Sequence, residues 1–279
     1  MSRLAAEARE RRNRIKEIIS NINGSADEHS NPADPANLLP RAVDGLSDPT
    51  LKHTLVFPFV GFRPQNRFKM GKGLWPYMGR TKFKDLVQEL NDVRQSPVYT
   101  TVWLYGTQGY GKSHLLAALV CYLAARDERV VYIPDCRAYL LAPIRYVQAA
   151  MLFAWADDII TQREIMTLNT EAEIEAFLRS QDSVLFVIDQ MNALKKSDNQ
   201  REEVKRARLE GWIGRYTSRH KAVFSTSGND TGYLQKSIRR NSNRVLAVYG
   251  GFTRVSHLIF YVAMRLLTRL GGNGPVVGA

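Results

Sequence analysis

Cysteine is nearly missing: the chain has two thiols, Cys121 and Cys136, among 279 residues. Both stand in apolar or strand-end surroundings, which excludes a disulfide-stapled scaffold and predicts buried free thiols in a reducing compartment. Long uninterrupted apolar runs are missing too. The best candidate, Val255 to Leu270, is broken by His257, Arg265 and Arg269. The opening Met1-Ser2-Arg3-Leu4-Ala5-Ala6-Glu7 has no apolar core. Neither a membrane span nor a signal peptide is expected, and the expected location is intracellular, in cytoplasm or nucleus. Acid is in short supply, with 27 Asp and Glu against 39 Lys and Arg, a net charge of +12 that points to polyanionic partners. Glycine, proline and the hydrophobic fraction of 44% are ordinary, as in one large globular α/β domain with extensions.

What is present centres on one stretch. Val102-Trp103-Leu104-Tyr105 reads as a buried strand and runs directly into Gly106-Thr107-Gln108-Gly109-Tyr110-Gly111-Lys112-Ser113, with a strongly helical segment, Leu115 to Ala125, behind it. Strand, Gly-x-x-x-x-Gly-Lys-Ser and helix in that order form the context of a phosphate-binding loop. The glycines let backbone N–H groups turn inward around an anion, and the new helix adds its positive N-terminus. Lys112 is expected to reach the β- and γ-phosphates and Ser113 to ligate Mg²⁺. Gly106, Gln108, Gly109, Tyr110, Gly111 and His114 complete the expected nucleotide contacts. Lys195-Lys196-Ser197-Asp198 departs from a guanine-reading motif, so ATP is the expected nucleotide.

Four further strands are expected near 129–134, 183–189, 221–226 and 245–249. The run Ser183-Val184-Leu185-Phe186-Val187-Ile188-Asp189 has the Walker B form, in which a buried strand delivers Asp189 to its C-terminal edge, where it can hold Mg²⁺ directly or through water. Gln190 follows, where hydrolysing relatives place Glu. An amide can orient water but cannot take its proton, so both slow hydrolysis and a nucleotide switch stay open. Lys221 to Ser227 ends in small polar residues; Ser227 and Asn229 are candidates to meet the γ-phosphate or the water, or are simple strand-end turn chemistry. Arg240, on a short helix from Tyr233 to Ser242, reads either as an arginine finger offered to a neighbouring copy or as part of a solvated basic cluster.

Ahead of the loop, Arg63 to Lys84 holds seven Lys or Arg and no acid, interleaved with Phe68, Trp75, Tyr77 and Phe83. This is either a nucleic-acid-binding surface or a basic flank whose aromatics pack on the core. Within it, Tyr77-Met78-Gly79-Arg80 and the helical segment Lys82 to Val93 resemble the N-terminal box of AAA+ and STAND ATPases, which implies that Gly79 and Arg80 lie against the nucleotide. The expected organisation is a charged helix over 1–20, a flexible linker over 21–54, the basic aromatic flank over 55–95, the nucleotide domain over 96–270 and a flexible tail over 271–279.

The stretches Tyr105 to Leu119, Arg129-Val-Val-Tyr-Ile-Pro-Asp-Cys-Arg137 and Val187-Ile-Asp-Gln-Met-Asn-Ala-Leu194, with Tyr249-Gly-Gly-Phe252, resemble the ATPase module of Crinkler effectors and retrotransposon-hot-spot proteins. The resemblance spans about residues 55–260 and implies a STAND or AAA+-like ATPase acting in a nucleus, usually joined to a nuclease-like domain. With few residues of this sequence after Gly251 and no Leu-x-Leu-Phe-Leu-Ala-Lys effector header in it, a nuclease activity and effector secretion are not expected. The expected fold is a three-layer α/β sandwich of the P-loop NTPase (ASCE) type with a mostly parallel five-stranded sheet and the P-loop strand central. The expected function is an ATP-Mg²⁺ ATPase or switch, able to form homo-oligomers; the alternative is a basic nucleic-acid- or partner-binding module with a structural or vestigial nucleotide site.

Overall fold

Strands joined in sequence by helices or connectors too long for a hairpin are free to pair in a parallel sheet. The computed structural model, which describes residues 1–22, 35–64, 66–95, 101–106, 109–195, 199–227 and 243–247, shows this sheet. Strands β3 (Thr101–Gly106), β4 (Val130–Ile133), β5 (Leu185–Ile188), β6 (Lys221–Ser227) and β7 (Asn243–Ala247) are ordered β4-β5-β6-β3-β7, all parallel. Every residue of β4 and β5 is buried, as for strands covered on both faces.

The middle strand is β6, with the P-loop strand β3 one place from the β7 edge, a correction to the expected central position. The register aligns Gly106 with Ser227, Phe224 with Ile188, and Ile188 with Ile133. One sheet edge therefore collects the ends of β3, β4, β5 and β6. Because β6 lies between β3 and β5, its polar end separates the phosphate loop from Asp189.

Helix α4 (Lys112–Ala125) is buried almost all round, from Leu115 to Ala124. A helix apolar on every side needs cover on its outer face. Helix α1 (Ser2–Ser20) supplies part of it, packing on α4, on α6 and on the N-terminal strand β1. The charged helix expected over 1–20 is thus a piece of the core. Ala5, Ala8, Ile15 and Ile19 form its buried stripe, and full burial of the two isoleucines is worth about 3–6 kcal/mol as an upper estimate. Arg12 lies in the same stripe, only 2% exposed, donating to the carbonyls of Ala154 at 2.8 Å and Glu128 at 3.3 Å. Burial pushes its pKa down, opposed by Asp157 and Asp127. An arginine that caps carbonyls inside a core looks, in sequence, like any solvated one.

The linker expected over 21–54 is also corrected. Helix α2 (Pro35–Ser47) and strand β1 (Lys52–Val56) fall inside it, and β1 pairs antiparallel with β2 (Leu74–Met78) in a separate two-stranded sheet. Cross-strand pairing holds what composition alone marks as loop. Phe68, Trp75, Tyr77 and Phe83 are buried, whereas Phe62 is 71% exposed; the aromatics of the basic flank pack inward. Helix α3 (Lys82–Gln95) follows β2.

Between β4 and β5 the chain forms α5 (Cys136–Leu141), α6 (Pro143–Ala154), α7 (Ile159–Thr167) and α8 (Glu171–Ser180). Pro143 forces Ala142 out of helical geometry and divides α5 from α6. Thr170 and Glu173 close a reciprocal capping box at the start of α8. A 3₁₀ turn over Met191–Leu194 and helix α9 (Gln200–Thr217) lead to β6. Cys121 and Cys136 are buried and unpaired. Among the described residues no helix is long and apolar enough to cross a membrane.

Candidate functional site

The loop closing β3 turns on two left-handed glycines, Gly109 at φ 91° and Gly111 at φ 78°. Side chains rarely adopt these angles, which accounts for glycine at both. Gly111 is also the N-cap of α4 and has no side chain with which to cap the first-turn N–H groups. A helix start of that kind suits an anion. A Cβ on Gly111 would stand 2.5 Å from the Arg80 guanidinium carbon. Arg80 therefore lies flat against the loop, and its Nε is buried without a hydrogen-bond partner.

Lys112 is 8% exposed and donates from Nζ to the Gly106 carbonyl at 2.6 Å, folding back over the loop it follows. Burial pushes its pKa down and Asp189 pushes it back up. Asp189, 1% exposed, follows the last residue of β5; its N–H donates to the Ile133 carbonyl at 2.8 Å and its own carbonyl accepts from Cys136 N at 3.3 Å. Ser225 of β6 donates from Oγ to Asp189 Oδ1 and accepts from Gln190 N at 3.2 Å. Burial raises the Asp189 pKa, against the lowering effects of Arg67, Ser113 and Ser225. Gln190 is left-handed at φ 64°, with a buried Oε1 that has no hydrogen-bond partner.

Arg67, on the segment joining β1 to β2, enters the same point. Its Nη1 lies 3.0 Å from Asp189 Oδ2, 3.3 Å from Ser113 Oγ and 3.4 Å from the Pro134 carbonyl; Nη2 lies 2.7 Å from Asp135 Oδ2. Next to it, Phe68 stacks on His114 at 4.6 Å between centroids, and Trp75 meets His114 edge-on at 5.3 Å. Burial, then Arg80 and Arg67, bring the His114 pKa down to about 4.

The structure thus brings together Gly106, Gly109, Gly111, Lys112, Ser113, Asp189, Gln190 and Arg80. Tyr110 sits half-buried in the turn before α4. The His114 ring is engaged in the aromatic cluster. Gly79 is set apart by packing: a Cβ there would come within 1.9 Å of the Asp48 carbonyl oxygen. Ser227 ends β6 opposite Gly106, with its side chain outside the described residues, as are Gln108, Asn229 and Arg240. Sequence reasoning missed Arg67, Ser225 and Asp135. Alternation along β6 puts Ser225 on the face of Ser227, a signal that could have found it. Nothing local marks Arg67 among the seven basic residues of 63–84.

A buried carboxylate beside a hydroxyl, a lysine folded over a glycine loop and an orphaned glutamine oxygen suit a triphosphate with its metal. Ser113 and Asp189 could hold the ion. The parallel sheet and this loop define the class, a P-loop nucleoside triphosphatase fold. The sequence narrows the class: residues 100–261, more than half of the chain, match the NACHT domain, and the chain belongs to the NACHT family. No curated protein matches it. Similar solved structures include a DNA replication initiation factor (16% identity, TM-score 0.36, covering 69% of this chain and 51% of that one). Another is AMPPCP-bound DnaA from Aquifex aeolicus (14%, TM-score 0.36, 77% and 57%). A third is DnaI (15%, TM-score 0.34, 68% and 93%). The chain spans about half the length of the first two.

Proposed function

We propose that this NACHT chain binds ATP with Mg²⁺ and works as a slow ATPase or a nucleotide-gated switch. The observation that carries the reading is the meeting of Lys112 and Ser113 with a fully buried Asp189 that Ser225 holds in place. On loading, Lys112 would exchange the Gly106 carbonyl for phosphate oxygens, and Arg80 would stay close to the loop. The Ser113 hydroxyl and Asp189 carboxylate would ligate the metal, which offsets phosphate charge. Gln190, next to Asp189, would orient a water through its amide, and without a carboxylate there proton removal would be inefficient. Ser227, Asn229 and Arg240 remain candidates to sense or stabilise the γ-phosphate, Arg240 from a neighbouring copy.

The affinity to Crinkler and retrotransposon-hot-spot modules is part of this proposal. Its two distinctive stretches, Pro134 to Arg137 and Asp189 to Leu194, are tied together here by the Cys136 N–H on the Asp189 carbonyl and by Arg67. A basic nucleic-acid surface over 63–84 is the weaker reading, since Phe68, Trp75, Tyr77 and Phe83 are buried and unavailable to stack on bases.

The test is ATP turnover alongside Mg-ATP calorimetry on wild type, Lys112→Ala and Gln190→Glu. Binding lost in Lys112→Ala, with turnover raised in Gln190→Glu, is the expected result. Undiminished ATP affinity in Lys112→Ala would refute the site.

A further inference from the structure

Resting on that reading of Ser113 and Asp189 as the metal's ligands, we propose that Arg67 is an intramolecular counter-cation occupying the metal position, which Mg²⁺-nucleotide must evict. One nitrogen, Nη1, is in contact with Asp189 Oδ2, Ser113 Oγ and the Pro134 carbonyl at once. Three oxygens converging on one cationic nitrogen is the environment a small hard cation seeks. A magnesium ion held by the same serine and aspartate oxygens would draw on the lone pairs that this nitrogen now occupies. Arginine and metal therefore compete for one pair of oxygens.

The exchange answers a physical need. Asp189 is 1% exposed, and a carboxylate buried that deeply without a positive partner is costly. Arg67 supplies the partner when the metal is away, and its second nitrogen pairs with Asp135 at 2.7 Å. The latch is mounted to hold. Phe68 is 2% exposed and wedged among Phe57, Trp75 and His114. Four residues earlier, Arg63 pairs with Glu7 of α1 at 2.9 Å, and Arg11 pairs with the same carboxylate. Eviction of Arg67 thus disturbs a segment fastened to the N-terminal helix, a route from nucleotide state to the surface of the domain.

The test titrates Mn²⁺, read by its paramagnetic resonance, into the full chain with saturating ADP, for wild type, Arg67→Ala and Arg67→Lys. If the latch is closed about nine-tenths of the time, its removal tightens apparent Mn²⁺ affinity about tenfold in Arg67→Ala, with Arg67→Lys between. Equal or weaker Mn²⁺ binding in a folded Arg67→Ala overturns the proposal. Failure of wild type to bind ADP sinks the nucleotide reading instead. The titration without nucleotide then decides on the latch alone: tighter Mn²⁺ in Arg67→Ala, abolished by adding Asp189→Asn, supports it, and no difference refutes it. Should Arg67→Ala not fold, the same criteria apply to Arg67→Gln.

Discussion

Replacement of Gly79 by alanine separates packing from ligand binding at a position where the sequence suggests a nucleotide contact. The new Cβ would lie 1.9 Å from the Asp48 carbonyl oxygen and 2.6 Å from its carbon. Both are backbone atoms that no rotamer change can move away, so the turn after α2 or the end of β2 must shift by more than about 1 Å to reach ordinary contact. Overpacking of this kind costs about 1–3 kcal/mol. Two backbone bonds cross the same joint at 3.0 Å each, Gly79 N to the Leu51 carbonyl and Arg80 N to the Leu46 carbonyl. Losing them adds about 1 kcal/mol apiece. A total of about 3–5 kcal/mol corresponds to a fall in Tm of roughly 6–20 °C in a domain of this size. The assay is thermal denaturation, with ATP affinity measured well below the melting onset, where a change under about threefold (0.7 kcal/mol) is expected. Wild-type melting combined with lost ATP binding would refute the reasoning and return Gly79 to the ligand.

Two other perturbations probe the site's supports. Ser225→Ala removes the hydroxyl shared by Asp189 and Gln190 N, stranding a buried acceptor and a donor; urea unfolding should show a loss of about 2–3 kcal/mol, and a loss under about 0.5 kcal/mol would count against the hydroxyl's role. His114 titrates at about 4 in the fold against 6.5 when free. As pH falls through 6.5 the unfolded chain takes up this proton and the native state does not, so native stability declines from pH 6.5 to about 4 and is unaffected above. At about 1.4 kcal/mol per unit the decline amounts to at most about 3.5 kcal/mol. His114→Phe should flatten that part of the stability–pH curve, and an unchanged slope would refute the assignment.

The parts of this protein legible in its sequence are those whose physics is local. The loop from Gly106 to Ser113 follows from glycine backbone freedom and the helix start that succeeds it. Asp189 is marked by the apolar run that carries it. The five strand segments follow from β-branched and aromatic runs bounded by turns. Pairwise relations were not legible. The strand order that sets β6 between β3 and β5, and with it the choice of Ser225 as the support of Asp189, depends on how crossovers pack. The helix at 1–20 reads only as charged because buried and exposed arginines share one letter, and the carbonyls of Ala154 and Glu128, with Asp127 and Asp157, are what distinguish Arg12 in the fold. Arg67 stands 46 residues from Ser113 and 122 from Asp189 along the chain. By itself, then, the sequence determined a phosphate loop, a carboxylate at a strand end and the strands that carry them, since each is written within about a dozen neighbouring residues. Only the tertiary structure decided which distant cation meets that carboxylate, because a counter-charge is chosen by proximity in the folded chain.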